Sequence, residues 1–192
     1  SGTEKAPDYW ASGISVVAHM KSPHVPAFHF NTRYIVTGKR WFGGGADMTP
    51  AIPNKEDVDI FHKSIERVCN KHDKNYYRDF KKQCDEYFYL PHRDEPRGEG
   101  GIFFDHLNNK NFKSDFNFIH DFGDDILKTI SLIIENRMNK KWTDSEKDIQ
   151  LYKRGRYVEF NLLWDRGTLF GLKTGGSTEA ILMSMPPTAK WE

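Results

Sequence analysis

The residues best suited to chemistry lie in two stretches, AFHFNTRYIV at 27–36 and YLPHRDEPRGEGGIFFDHL at 89–107. The first alternates apolar and polar residues. Read as a strand, it sends His29, Asn31 and Arg33 to one face and Phe28, Phe30 and Tyr34 to the other. An imidazole, an amide and a guanidinium in one row suit the wall of a polar cavity, where histidine moves protons and arginine grips carboxylates in bidentate fashion. In the second stretch Pro91 ends a helix, leaving His92 and Arg93 in the following loop. Gly98, Gly100 and Gly101 then bring the backbone close to its neighbours before an apolar strand that ends at Asp105. Arginines Arg33, Arg93, Arg97, Arg154, Arg156 and Arg166 gather in these and the nearby C-terminal segments. Some should be tied to Asp94, Glu95, Asp105, Glu159 or Asp165. The rest point to a polycarboxylate ligand.

Two other constellations are weaker. His19, His29, His62 and His92 form a possible metal set, but they lack a diagnostic short spacing such as HExxH. FGGGADMTP has no Lys-Ser or Lys-Thr after its glycines and so is not a phosphate loop. A tight turn supported by Asp47 is the better reading. TGGST at 174–178 offers backbone N–H groups at a helix start, a second place for a carboxylate.

The elements that must position these groups are strands at 12–18 and 27–36 and a short strand from Trp41 into the glycine turn. Helices are expected at 55–72, capped by Asn54, at 75–90 and at 113–139. A strand at 101–107 lies between the last two. Thr143 and Glu146 have capping-box spacing for a helix over 143–153. RYVEFNLLWDRG at 156–167 and LFGL after it read as strands, and a helix begins at Ser177 or Thr178. Strands grouped at both ends with helices between favour an α+β fold, with a mostly antiparallel sheet flanked by helices. The 192 residues suit one domain, and 28 basic against 27 acidic side chains give no global field toward nucleic acid. No apolar run reaches membrane-spanning length, and Cys69 and Cys84 read as reduced core thiols, which suits a cytoplasmic protein.

With these residues in view, the chain resembles the oxygen-dependent coproporphyrinogen-III oxidase family. GISVVAH, HVPAFHFNTRY, WFGGGADMTP, FKKQCDEYFYLPHRDEPRGEGGIFFDHL and RGRYVEFNLLWDRGTLFGLKTGGSTEAILMSMPP carry the likeness in one order. The resemblance implies a large, flat antiparallel sheet with helices on both faces and a homodimer formed through Tyr157 to Glu192. It implies a single domain over 1–192 that lacks the family's N-terminal portion and short C-terminal tail. The family oxidatively decarboxylates two propionates of coproporphyrinogen III to vinyls, giving protoporphyrinogen IX, with O₂ as co-substrate and no organic cofactor. By motif position, His29 is implied as proton donor and Asp105 as the acid facing the pyrrole nitrogens. Ser15, Asn31, Thr32, Arg33, Gly175, Gly176 and Ser177 are implied as substrate contacts. His19, His29, His62 and His92 are implied as ligands of a divalent metal such as manganese. Two departures bear on the site: His106 stands where the family has a second acid after Asp105, and Ser177 stands where it has an arginine. These departures keep open a non-catalytic tetrapyrrole-binding or regulatory remnant, and the histidine set alone keeps open a metal-dependent oxygenase.

Overall fold

A computed structural model describes residues 9–191 and places every long strand in the first 107 residues. Strands β1 (Trp10–Ala18), β2 (Ala27–Val36) and β3 (Arg40–Thr49) form an antiparallel meander. Helices α1 (Lys55–His72) and α2 (Tyr76–Tyr87) follow, then a small hairpin of β4 (Tyr89–Leu90) and β5 (Glu95–Pro96). Strand β6 (Gly100–Leu107) completes the sheet in the order β1-β2-β3-β6, which leaves β1 as an edge with Ile14 and Val16 exposed. Four helices close the chain: α3 (Phe112–Arg137), α4 (Asp144–Leu163), α5 (Arg166–Lys173) and α6 (Thr178–Leu182).

The alternation in β2 sorts the two faces. Phe28 and Phe30 join Phe42, Ala46, Met48, Ile102 and Phe104 in a core with α1 and α3, from which Phe61, Ile65, Phe118 and Phe122 contribute. Each fully buried side chain of this size is worth about 1.5–3 kcal/mol relative to exposure. On the other face Phe103, Tyr87, Phe88 and Phe160 of α4 pack together, so helices lie on both sides. Caps start the helices as the sequence indicates: Asn54 accepts from the Asp57 amide, and Thr143 and Glu146 form a reciprocal box.

Three expectations fail. The glycine stretch is no turn: Gly43, Gly44 and Gly45 lie inside β3, all three paired with β2 and the last two also with β6. Residues 156–163 are helical, because α4 runs on from Asp144 to Leu163, and LFGL lies in α5, capped by the Asp165 carboxylate on the Thr168 amide. Strands therefore do not group at both ends of the chain. The α+β class stands, with a four-stranded antiparallel sheet.

Candidate functional site

The polar face of β2 looks into an open hollow of about 720 Å³. Ser15, His29, Asn31, Thr32, Arg33 and Asp105 all line it. So do Tyr87, Phe88 and Phe103, with Asp165, Arg166, Gly167 and Phe170 from the start of α5. β3 places a glycine beneath the Arg33 side chain. A Cβ on Gly43 would stand 2.8 Å from the Arg33 guanidinium, so only glycine lets that side chain lie flat on the sheet.

Along the floor the polar groups form one chain. Arg97 donates to Asp47, and His29 Nδ1 lies 2.8 Å from the other Asp47 oxygen. Asn31 Nδ2 is 3.1 Å from His29 Nε2, and Arg33 donates to Asn31 Oδ1 at 3.1 Å. Arg33 also meets Asp105 at 3.1 Å, and the Trp41 indole N–H donates to the same carboxylate. A register shift between β3 and β6 beside Gly43 puts His106 in the left-handed region at φ 55°, its ring tilted against Trp41 with centres 4.8 Å apart. The bulge returns Leu107 to the core and leaves Asp105 facing the hollow. His106, the departure beside Asp105, therefore sits outside the row.

Asp47 is not the support of a turn. Burial alone would raise its carboxyl, but Arg97 and His29 outweigh that and hold it below the usual range. The opposite wall carries a different balance. The Tyr87 hydroxyl donates to Asp165 at 2.7 Å, and burial followed by that carboxylate pushes the phenol up to about 12. The Arg166 guanidinium is exposed, sits 4.7 Å over the Tyr87 ring and pairs with no carboxylate among the described residues. Arg93 and Arg156 pair with Glu159 and Arg97 with Asp47, while Arg154 reaches the Met20 carbonyl and the Thr188 hydroxyl. Arg166 is thus a cation of the hollow with no acidic partner among the described residues.

The four histidines do not converge. His19 lies past the end of β1 and its Nε2–H donates to the Ser184 carbonyl at 2.9 Å. Burial holds its pKa below the ordinary value. His62 bridges the Tyr77 hydroxyl and the Glu99 carbonyl, each at 3.0 Å. His92 accepts from the Trp164 indole and donates to Glu159 at 2.7 Å. Among the described residues no three His, Cys, Asp or Glu side chains gather as a metal site. With both ring nitrogens of His29, His62 and His92 already bonded, these residues do not fit a shared ion as folded. Gly175, Gly176 and Ser177 also lie outside the lining of the hollow. They form the turn between α5 and α6, where Gly175 takes φ 74° and Ser177 caps the Ala180 amide.

Sequence reasoning placed the β2 row and Asp105 but missed Asp47, Arg97, Tyr87 and Asp165 as parts of the site. The signal was faint: Asp47, Arg97 and Asp165 each stand within two residues of a glycine, but in segments far apart along the chain, and Tyr87 has no such neighbour.

An α+β protein whose broad hollow sets an acid and an arginine side by side, with a second arginine on its wall that no carboxylate among the described residues pairs, is the class that fold and site define. The family model described as Coproporphyrinogen III oxidase matches residues 2–192. Oxygen-dependent coproporphyrinogen-III oxidases of Rickettsia bellii and Rickettsia rickettsii are each 57% identical over 190 residues, spanning 99% of this chain and 68% of theirs. That of Rickettsia africae is 56% identical over the same span. The chain belongs to the coproporphyrinogen III oxidase family.

Proposed function

We propose that the hollow binds coproporphyrinogen III and oxidatively decarboxylates two of its propionates to vinyl groups, giving protoporphyrinogen IX in haem biosynthesis. The single observation that carries this reading is Arg166, an exposed residue whose guanidinium has no acidic partner among the described residues, lining the same hollow as the Arg33–Asp105 pair. For each propionate side arm, carbon dioxide leaves together with one proton and two electrons. Dioxygen takes these with a further proton and becomes hydrogen peroxide. The electron-rich pyrroles react with dioxygen themselves, so the reading needs no organic cofactor. A requirement for a divalent ion such as manganese is outside it, and no step passes through a metal.

Arg166 and the free N–H groups of Arg33 hold propionates, since each guanidinium has five donors and Arg33 spends only part of its set on Asn31 and Asp105. Asp105 receives or stabilises the proton of a pyrrole nitrogen, and His29 moves a proton to or from the oxygen species. Ser15, Asn31 and Thr32 complete the wall. Fixed charges aimed at the charge developing on the ring supply the largest share of the acceleration.

The same reading makes the protein a homodimer through residues 157–192. Support comes from the exposed Leu163, Trp164, Phe170 and Met183 in that segment. It assigns the reaction to the cytoplasm, in keeping with free, buried Cys69 and Cys84, and no helix among the described residues is long and apolar enough to cross a membrane. The test is chromatographic. Incubation with coproporphyrinogen III under air should yield protoporphyrinogen IX, and incubation under argon should not. Binding without turnover would leave a tetrapyrrole-binding protein in place of an enzyme.

A further inference from the structure

Two residues with no role in the reaction described so far are buried beneath it. Side-chain exposure is 3% for both Arg97 and Asp47. The Arg97 guanidinium lies 4.0 Å from the Phe88 ring centre, 4.5 Å from that of Tyr157 and 4.8 Å from that of Phe160. An aromatic cage of this kind favours a cation without offering it a second anion. Asn161 accepts one further bond from it, at 3.3 Å. One Asp47 oxygen faces Arg97 and the other faces His29 Nδ1 at 2.8 Å.

The opposite side of the ring is decided by a donor-only neighbour. A guanidinium has no acceptor, so the Asn31 atom that meets Arg33 is its oxygen. The Asn31 amide nitrogen therefore faces His29 Nε2, which has to accept. An acceptor at Nε2 and a carboxylate at Nδ1 demand the same tautomer, with the ring hydrogen on Nδ1.

We infer that Arg97 and Asp47 are positioning residues that hold His29 as its Nδ1–H tautomer, with Nε2, the acceptor of the Asn31 amide, turned to the hollow. The arrangement resembles any carboxylate–imidazole pair in which the acid orients the base and does not itself exchange the proton. It gives a physical reason for a buried ion pair directly under the row: an isolated buried carboxylate would neutralise and lose its hold on Nδ1, and Arg97 prevents that. The inference rests on the reading of His29 as the proton carrier.

Nitrogen-15 spectroscopy of the His29 imidazole in the unmodified protein tests the tautomer directly. Hydrogen on Nδ1 is expected; hydrogen on Nε2, or free exchange between the two, overturns the inference. The double variant Asp47→Leu with Arg97→Met removes one charge of each sign, so it leaves no orphaned ion in the core, and it takes away the acceptor facing Nδ1. It should retain a cooperative thermal transition, lose the fixed tautomer and lose about a hundredfold or more in kcat, with KM changed by no more than about threefold. Turnover within about threefold of the parent, with Nδ1 still protonated, would show that the pair positions nothing. Normal turnover in His29→Gln would instead overturn the functional reading of His29, while the tautomer measurement still judges the pair on its own.

Discussion

Gly43→Ala isolates the Arg33 clamp without removing a charge. A Cβ at this position stands 2.8 Å from the Arg33 carbon and two of its nitrogens. Ordinary contact needs about 3.5–4.0 Å, so the guanidinium must retreat by about 1 Å. Its bonds to Asn31 and Asp105 are already 3.1 Å long, and that displacement breaks both. The obstacle is the far end of a flexible side chain, so the strand loses little, and replacing a strand glycine recovers about 0.5–1 kcal/mol of backbone entropy. The charge-assisted bond lost to a substrate carboxylate is worth about 1.5–3 kcal/mol, which is a rise in KM of about 10- to 150-fold. Steady-state kinetics on coproporphyrinogen III, with a thermal melt of the same sample, reads both quantities. Gly45→Ala is the contrast: its Cβ would meet the Ile102 carbonyl oxygen at 2.4 Å, a backbone atom that cannot retreat, so that variant should melt much earlier. Unchanged KM in a well-folded Gly43→Ala protein would refute the placement of Arg33 as a substrate clamp.

Other expectations follow from the same geometry. Asp105→Asn should cut kcat by about two orders of magnitude, or roughly 3 kcal/mol in the barrier, and a near-normal turnover number would remove Asp105 from the chemistry. Arg166→Ala should raise KM about tenfold or more while α5 keeps its Asp165 cap; a loss confined to kcat would argue against propionate capture. Dialysis against a strong chelator should leave turnover unchanged, because the ring nitrogens of His29, His62 and His92 are already bonded; loss reversed by added manganese would contradict this. Glu159 is held down to about 2, first by the bond from Arg93 and then by His92 and Arg156. Its folded pKa is depressed, so its contribution to stability is present above the ordinary value of 4.5 and is lost as pH falls toward about 2. Melting midpoints of Glu159→Gln and the parent, compared across that window, should converge at the acid end; a constant gap would refute the pairing.

Much of the framework is legible locally. Asn54, the Thr143–Glu146 box and the alternation of 27–36 each carry their own signal, and the last also fixes which residues share the wall of the site. The C-terminal strands fail for a physical reason. In α4 the buried residues include Gln150, Arg154, Tyr157 and Asn161 at helical spacing, all with polar atoms, and Phe160 beside them is too little to reveal an apolar period. RYVEFNLLW then reads as strand from its branched and aromatic residues, and tertiary contacts override that preference. Glycines 43 to 45 mislead in the opposite direction: they serve close approach within a central strand, where the sequence pattern suggests a turn. The Arg97–Asp47 pair bridges positions fifty residues apart and leaves no periodic trace.

The central claim is that this hollow holds a macrocycle by its carboxylates, and anaerobic calorimetric titration with coproporphyrinogen III measures that without any chemistry intervening. The account predicts one site per chain, weakened about tenfold or more in Arg166→Ala and in Gly43→Ala. Absence of binding to the parent chain, or equal affinity in all three proteins, would contradict it.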